Sequence, residues 1–482
     1  MIGQVGPIRS APPSSGERPA VPPDRALPHL ARALDAATMS AVLQASVFAD
    51  GVLATRAAGR ARVQRCEIEW VKYRPGKNCT IAYRLSVMDA ANEKAWTQLL
   101  CARVFTPGQS AARFRTAQSE DLVRPVFGQS LTHVPEMDMV VWAFPNDSKL
   151  AALPNILDAN QLRCELLPPV VEAAVGRQWT ILDLASDVVQ YIPEDTCTVR
   201  VQISLARPAT AERRELVVYG KIYKEGRGAE TYALMTQLWD GAARRAGRLR
   251  LARPLAYDHW RHILWQAKLP GTALLEDDLS SPHALSVLGK AAAAVAALHQ
   301  ANVSPPRMIG VSDLSARLSQ MKQLLPEVRP SCRDLLDPLV DLLTVQTQQL
   351  GDQPTAVLHG DLRLRHLLVD GDEVGLIDVD TLCQGSPWQD LGSFSAAILY
   401  KGMLANLSDA VIEKSLTTFW VEYTRRVPWP MSRAALDWHT AVALINERAF
   451  RSVTRLQEDK LERLHELIAL ATRISWRRAV LG

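Results

Sequence analysis

No two of the seven cysteines in this 482-residue chain form a Cys-x-x-Cys pair. Cys66, Cys79, Cys101, Cys164, Cys197, Cys332 and Cys383 are odd in number and widely spread, which argues against a disulfide framework or a zinc site and suits a reducing cytosol. Long apolar runs are missing as well. The longest, "AAAAVAALH" at 291–299, is far too short to cross a bilayer. The opening "MIGQVGPIRSAPPSSGERPAVPPDR" lacks the apolar core of a secretory signal. Excess charge of either sign is also small: 55 Lys and Arg against 51 Asp and Glu leave a formal net charge of +4, so the balance calls for neither a nucleic-acid nor a membrane partner. The expectation is a cytoplasmic protein; the composition says nothing of its oligomeric state.

What is present is ordinary for a globular chain, with 48% hydrophobic and 22% charged residues. The length predicts two or three packed units. Pro and Ser in residues 1–27 read as a disordered tail. Beyond it lies an internal repeat. "VKYRPGKNCTIAYRL" from Val71 matches "VQYIPEDTCTVRVQI" from Val189, so that Tyr73, Pro75, Cys79 and Thr80 fall on Tyr191, Pro193, Cys197 and Thr198, each 118 residues on. The same offset places Arg103 on Lys221 and Gly108 on Gly226. Two copies are too few for a solenoid, so duplication of one β-rich unit is the simpler account. Alternating runs such as "CTVRVQISLA" and "ELVVYGKIY", then a helical "AETYALMTQLW" and an apolar "HILWQA", give each unit an antiparallel sheet with a helix. After Pro270-Gly271 the pattern turns helical, first in a helix expected to be capped by Ser281 with Pro282 in its first turn. The predicted organisation is a tail (1–27), two sheet units (28–150 and 151–270) and a helical unit (271–482).

Inside the helical unit stands "VLHGDLRLRHLLVDGDEVGLIDVDT", residues 357–381. A carboxylate at the end of one short strand can take a proton from a hydroxyl, and a second on a neighbouring strand can hold a divalent metal on a polyphosphate. Asp361 and Asp378, joined through an Asp-Gly hairpin signal, would stand at one end of such a hairpin. Phosphoryl transfer needs little more than a cation on the phosphates, which Lys221 can supply. As ordinary surface features, the two acids would be turn residues, Lys221 a solvated strand lysine and Glu230 a first-turn helix acid.

The ordered series His-Gly-Asp, hairpin, Ile-Asp and Pro-x-x-Asp-Leu in "HGDLRLRHLLVDGDEVGLIDVDTLCQGSPWQDLGSF" resembles the aminoglycoside phosphotransferase and choline kinase group. The likeness runs over roughly residues 186–470 and is weaker in the sheet unit. It implies an α+β, protein-kinase-like two-lobe fold, with a mainly antiparallel β N-lobe and a helical C-lobe, preceded here by a duplicated, degenerate N-lobe-like α+β domain. It further implies an ATP-dependent enzyme that phosphorylates a hydroxyl of a small molecule such as a sugar, amino sugar or amino alcohol. Carried over by position, Asp361 is the catalytic base and Asp378 a ligand of Mg2+. Lys221 contacts the α/β-phosphates and is held by Glu230, and backbone groups of Gln266, Ala267 and Lys268 meet the adenine. Asp390 braces the catalytic loop. Arg363 and Arg365 can meet phosphate oxygens or an anionic acceptor.

Two departures stand out. The turn "YIPEDTCT", placed over the phosphates, lacks the glycines of a protein-kinase loop. The family's Asn, five residues after the catalytic Asp, is His366, whose nitrogen is a poorer ligand for a hard cation than an amide oxygen. Either His366 binds phosphate or one metal in an altered site, or turnover is impaired and the chain is a pseudokinase that binds nucleotide or acts as a scaffold. Residues 272–482 hold about 25 acids and about 21 Lys and Arg, without the clustered acids expected against a cationic aminoglycoside.

Overall fold

Period-two patterning dictates the sheets. In the segment "TCTVRVQISLAR", Val199, Val201, Ile203 and Leu205 are fully buried while Arg200 and Gln202 between them reach solvent. The computed structural model describes residues 21–48, 61–89, 93–119, 121–210 and 212–476. Most of the expected tail, residues 1–20, lies outside these. Its last part is built in: Leu27 is buried, and Asp24 anchors a turn of the first sheet.

The described residues form two compact units. One runs to Ala229 and includes Leu255–Gln266 and Thr454–Glu458; the other comprises Glu230–Pro254, Ala267–Val453 and the chain from Asp459.

The first unit contains two five-stranded antiparallel sheets. β1 (Ala61–Arg74), β2 (Asn78–Asp89), β3 (Lys94–Phe105), β4 (Leu131–Val134) and β5 (Met139–Ala143) lie in the order β1-β2-β3-β5-β4. β6 (Thr180–Ile192), β7 (Thr196–Arg207), β8 (Glu212–Tyr223), β9 (Pro254–Asp258) and β10 (Ile263–Ala267) lie in the order β6-β7-β8-β10-β9. The two orders are the same. The likeness extends to register, because a bulge between Val63 and Arg65 in β1 recurs 118 residues later between Ile181 and Asp183 in β6.

It extends to the turns as well. Asp24 accepts hydrogen bonds from the Tyr73 hydroxyl and the Gly76 amide, both at 2.9 Å. Asp147 accepts from the Tyr191 hydroxyl at 2.6 Å and the Glu194 amide at 3.0 Å, the same two places in the second copy. Burial pushes the Asp147 carboxyl up despite these bonds.

Glu194 itself sits in left-handed backbone (φ 60°) at the β6–β7 turn. Its carboxylate accepts from Arg103 of β3 at 2.9 and 3.1 Å and from Ser148 at 2.8 Å. Arg103, the counterpart of Lys221, is therefore engaged with the turn of the neighbouring sheet. The segment 454–458 also belongs here: Arg455 donates to Val71 O at 2.8 Å and lies 4.2 Å over the Trp70 ring.

The second unit is mainly helical. Its core helix Ala284–His299 starts three residues after the expected cap: Ser281 contributes only its carbonyl, to the Ala284 amide, and His283 precedes the helix without a side-chain cap. The helices Pro387–Leu404 and Arg433–Ala443 pack backbone to backbone at Gly392, where a Cβ would come within 2.6 to 2.8 Å of His439 and the Thr440 amide. Two short strands, Leu367–Asp370 and Glu373–Leu376, form the hairpin expected at Asp370-Gly371, with Gly371 in left-handed backbone (φ 56°).

His439 gives a pH test of this core. Its Nε2 lies 3.0 Å from Gln353 Oε1, and burial pushes its pKa down from 6.5 to about 3. Below pH 6.5 the unfolded chain takes up a proton that the folded one refuses, so stability is complete above 6.5 and lost as pH falls toward 3. The expected loss is about 1.4 kcal/mol per pH unit, or about 2 kcal/mol at pH 5. Urea unfolding of native and His439→Gln protein at pH 7 and pH 5 isolates this contribution, and equal pH slopes in the two would refute it.

Candidate active site

The loop after strand Ala356–Leu358 is held by a single buried carboxylate. Asp390, 1% exposed, sits in the first turn of the helix Pro387–Leu404. It accepts the His359 amide at 2.6 Å, the Gly360 amide at 3.0 Å and His299 Nε2 at 3.2 Å. His299, the last residue of its helix, is in turn bonded to the Tyr423 hydroxyl at 2.7 Å. His359 is fully buried, with Nε2 bonded to Ile377 O at 3.0 Å, and its carbonyl accepts from Thr381 Oγ1 at 2.9 Å. His359 is thus a structural tie between the two acidic loops.

Gly360 is required on two counts. Its φ is +77°, and a Cβ there would lie 2.2 Å from the Thr381 carbonyl oxygen. Gly360→Ala is expected to cost about 3 kcal/mol, from left-handed strain plus overpacking. Urea midpoints at constant m would measure it, and a loss below about 1 kcal/mol would mean that the loop yields.

This framework brings Asp361, Arg363, His366 and Asp378 together. His366 Nδ1 lies 2.8 Å from the Asp361 backbone oxygen, so that nitrogen carries the proton. Its Nε2 lies 3.5 Å from Asp378 Oδ2 and accepts from Arg365 Nε at 3.3 Å. Burial pushes the His366 pKa down to about 3, overcoming the opposite pull of Asp378, so the imidazole is neutral and the contact is not an ion pair. Its ring stacks on His359 at 5.5 Å. Asp378 itself is in left-handed backbone (φ 62°), one third exposed, and leads into the loop that Thr381 ties back to His359.

Two acceptors 3.5 Å apart with no hydrogen between them repel unless a positive group lies beside them. Arg365 supplies one, and a divalent cation fits the same place, with a carboxylate oxygen and a neutral imidazole nitrogen as donors. Among the described residues no group of three or more His, Cys, Asp and Glu is arranged to hold a metal, so of these side chains Asp378 and His366 are the pair on offer here.

Asp361 is not bare. Its Oδ1 accepts from Arg363 Nε at 2.8 Å and from a second nitrogen of the same guanidinium. It also accepts from Arg451 Nη2 at 3.1 Å. Arg451 was not among the sequence candidates; it lies 90 residues away, just after a π-helical stretch, Leu444–Ala449. An irregular helix of this kind often marks a functional site, but a π-turn leaves no signature in sequence. Behind it Glu447 accepts from Ser393 Oγ at 2.8 Å, and Arg448 donates to Ser393 O at 3.0 Å.

The remaining candidates fall on other elements. Lys221 lies on β8 in the first unit, 8% exposed, opposite Thr198 and 5.6 Å from the Tyr223 ring centre. Glu230 is exposed in the first turn of the helix Arg227–Trp239. Gln266 and Ala267 end β10 and are half-buried, Lys268 is exposed, and the Ala267 amide already donates to Arg253 O at 2.9 Å.

Residues 209–428 match the model of the phosphotransferase enzyme family. Just under half of the chain is thus similar to that family. The matched segment contains Lys221, Glu230, Asp361, His366 and Asp378, but ends short of Glu447 and Arg451. In sequence, an antiparallel sheet precedes the helices, the order expected from the motifs.

Several solved structures are similar to the chain. One, from Ralstonia eutropha JMP134, is provisionally described as an aminoglycoside phosphotransferase; it is 16% identical, with 64% of this chain and 98% of that one covered and a TM-score of 0.47. An amicoumacin kinase in complex with AMP-PNP, Ca2+ and Ami is 14% identical, with 62% and 89% covered and a TM-score of 0.43. A choline kinase from Streptococcus pneumoniae is 11% identical, with 64% and 98% covered and a TM-score of 0.41. No curated protein matches the sequence. Among the described residues no helix is long and apolar enough to cross a membrane.

Proposed function

We propose that the protein transfers the γ-phosphoryl group of ATP to a hydroxyl of a small molecule. The observation that carries this reading is the pairing of Asp361 and Asp378 on two loops tied together by Asp390, His359 and Thr381, with His366 bridging from the Asp361 carbonyl to the Asp378 carboxylate. Asp361 accepts the hydroxyl proton while the new O–P bond forms. The bond from the γ-phosphorus to the bridging oxygen breaks, and ADP leaves with that electron pair. Mg2+, held by Asp378 with His366, would neutralise charge on the phosphates. Lys221, supported by Glu230, is assigned to the α/β-phosphates, Arg363 to phosphate oxygen, and the backbone at Gln266 to Lys268 to the adenine. The first sheet is read as a duplicated, degenerate N-lobe; the common strand order, the shared bulge and the paired Asp24 and Asp147 anchors support that origin.

A second reading, a pseudokinase with little turnover, is favoured by one observation. Two guanidiniums already occupy Asp361 Oδ1, an oxygen that would have to take the hydroxyl proton. Release of ADP from ATP with Mg2+ and then Mn2+, across a panel of sugars, sugar acids and amino alcohols, separates the two. Turnover stimulated by an acceptor supports the kinase. A melting temperature raised by ATP with no turnover under any condition supports the pseudokinase.

A further inference from the structure

We infer that the acceptor is an anion: a hydroxyl compound that carries a carboxylate or phosphate, which Arg451 binds. This rests on the phosphotransferase reading of the Asp361 site. The two arginines on Asp361 differ in kind. Arg363 comes from the same loop, its side chain 9% exposed, and it grips Oδ1 with two nitrogens. Arg451 comes from the helix Phe450–Arg455, its side chain 41% exposed, and reaches Oδ1 with one nitrogen at 3.1 Å. The inner guanidinium is a fixture and the outer one faces solvent.

Oδ1 is engaged by two guanidiniums, so a hydroxyl can reach that oxygen only if one of them leaves. Arg451 is the one free to move. An acceptor with an oxyanion near its hydroxyl gives Arg451 an alternative partner and, in the same motion, uncovers Oδ1 for the hydroxyl proton. A neutral acceptor offers no such partner. An amine acceptor would bring a positive charge up to Arg451, Arg363 and Arg365 together, the reverse of what a cationic sugar needs. The pair behind them does not offset this: buried Arg448 and half-buried Glu447 stand 3.3 Å apart and neutralise each other. Arg451 therefore acts as a charge gate on Asp361, with the acceptor's own anion as the key.

The test uses full-length protein and measures binding as well as turnover. Gluconate and glycerol 3-phosphate are the carboxylate and phosphate probes, glucose the neutral one, and choline and glucosamine the cationic ones. Each is titrated calorimetrically with and without AMP-PNP and Mg2+, and ADP release from ATP is followed in parallel. The expected result is saturable binding of at least one anionic probe, at least tenfold tighter than glucose or either cation. In Arg451→Gln that affinity falls at least tenfold, and Arg451→Lys recovers part of it. Arg425→Gln, at an exposed arginine paired with Glu422, leaves it unchanged. The inference is overturned if a cationic or neutral probe binds best, if no anion binds, or if Arg451→Gln leaves anion affinity intact. Anion binding that depends on Arg451 without ADP release would uphold the gate and sink the kinase reading instead. A preference between gluconate and glycerol 3-phosphate assigns the group.

Discussion

Asp361→Asn is expected to lower acceptor-stimulated turnover about a thousandfold, the middle of the range for removal of a general base. The substitution keeps the shape of the side chain, and its amide oxygen can still accept from Arg363 and Arg451, so the loop has no reason to refold. What disappears is the ability to take up a proton. Because Asp361 makes its bond to the hydroxyl proton only as transfer proceeds, the loss belongs in kcat, with KM for ATP little changed. Steady-state ADP release measures both. Turnover within tenfold of native would remove Asp361 from the base role and make its arginine pairs a structural feature.

Asp390→Ala should have the larger effect on stability. The change strips the partner from two amides, His359 and Gly360, and from the His299 imidazole; the His359 and His299 donors are closed to water and Gly360 is half-buried. Buried donors left unpaired cost about 1–3 kcal/mol each, and breaking a buried charged partner costs about 3–5 kcal/mol in all. A loss of about 4 kcal/mol in urea unfolding is expected, with turnover lost in whatever fraction stays folded, because Asp361 is carried by the same loop. Asp390→Asn is the graded control: its oxygen can serve one amide while its NH2 opposes the other, so about half the loss is expected. Equal stability of Asp390→Ala and native protein would show that Thr381 and the His359 to Ile377 bond suffice to hold the loop.

The sheets were legible because a half-buried strand alternates, and β7 alternates without a break from Val199 to Leu205. The repeat was legible from Tyr, Pro, Cys and Thr at one offset, but not its reason. The tyrosine hydroxyl and a turn amide share one aspartate in each copy, and Asp24 and Asp147 lie outside the stretch that aligns. Their own separation is 147 − 24 = 123 residues, five more than the repeat, so no single offset joins them to it. The helix expected from Ser281 starts at Ala284 although Ser281 has the extended backbone of a cap (φ −74°, ψ 150°), because the bond its carbonyl accepts, from the Ala284 amide, closes a tight three-residue turn before the regular helix.

The chain by itself determined which chemistry is available: two acids just past short strands, a glycine between the first of them and a histidine, and a histidine where an asparagine was expected. These are local facts, set by spacing within about twenty residues. Only the tertiary structure decided how that chemistry is poised. It neutralised His366 by burial, fixed its proton on Nδ1, set Asp390 beneath the loop from the following helix, and brought Arg451 across 90 residues onto Asp361 Oδ1. Burial and long-range charge pairing depend on which helices pack together, and that information is spread over the whole core and concentrated in no motif.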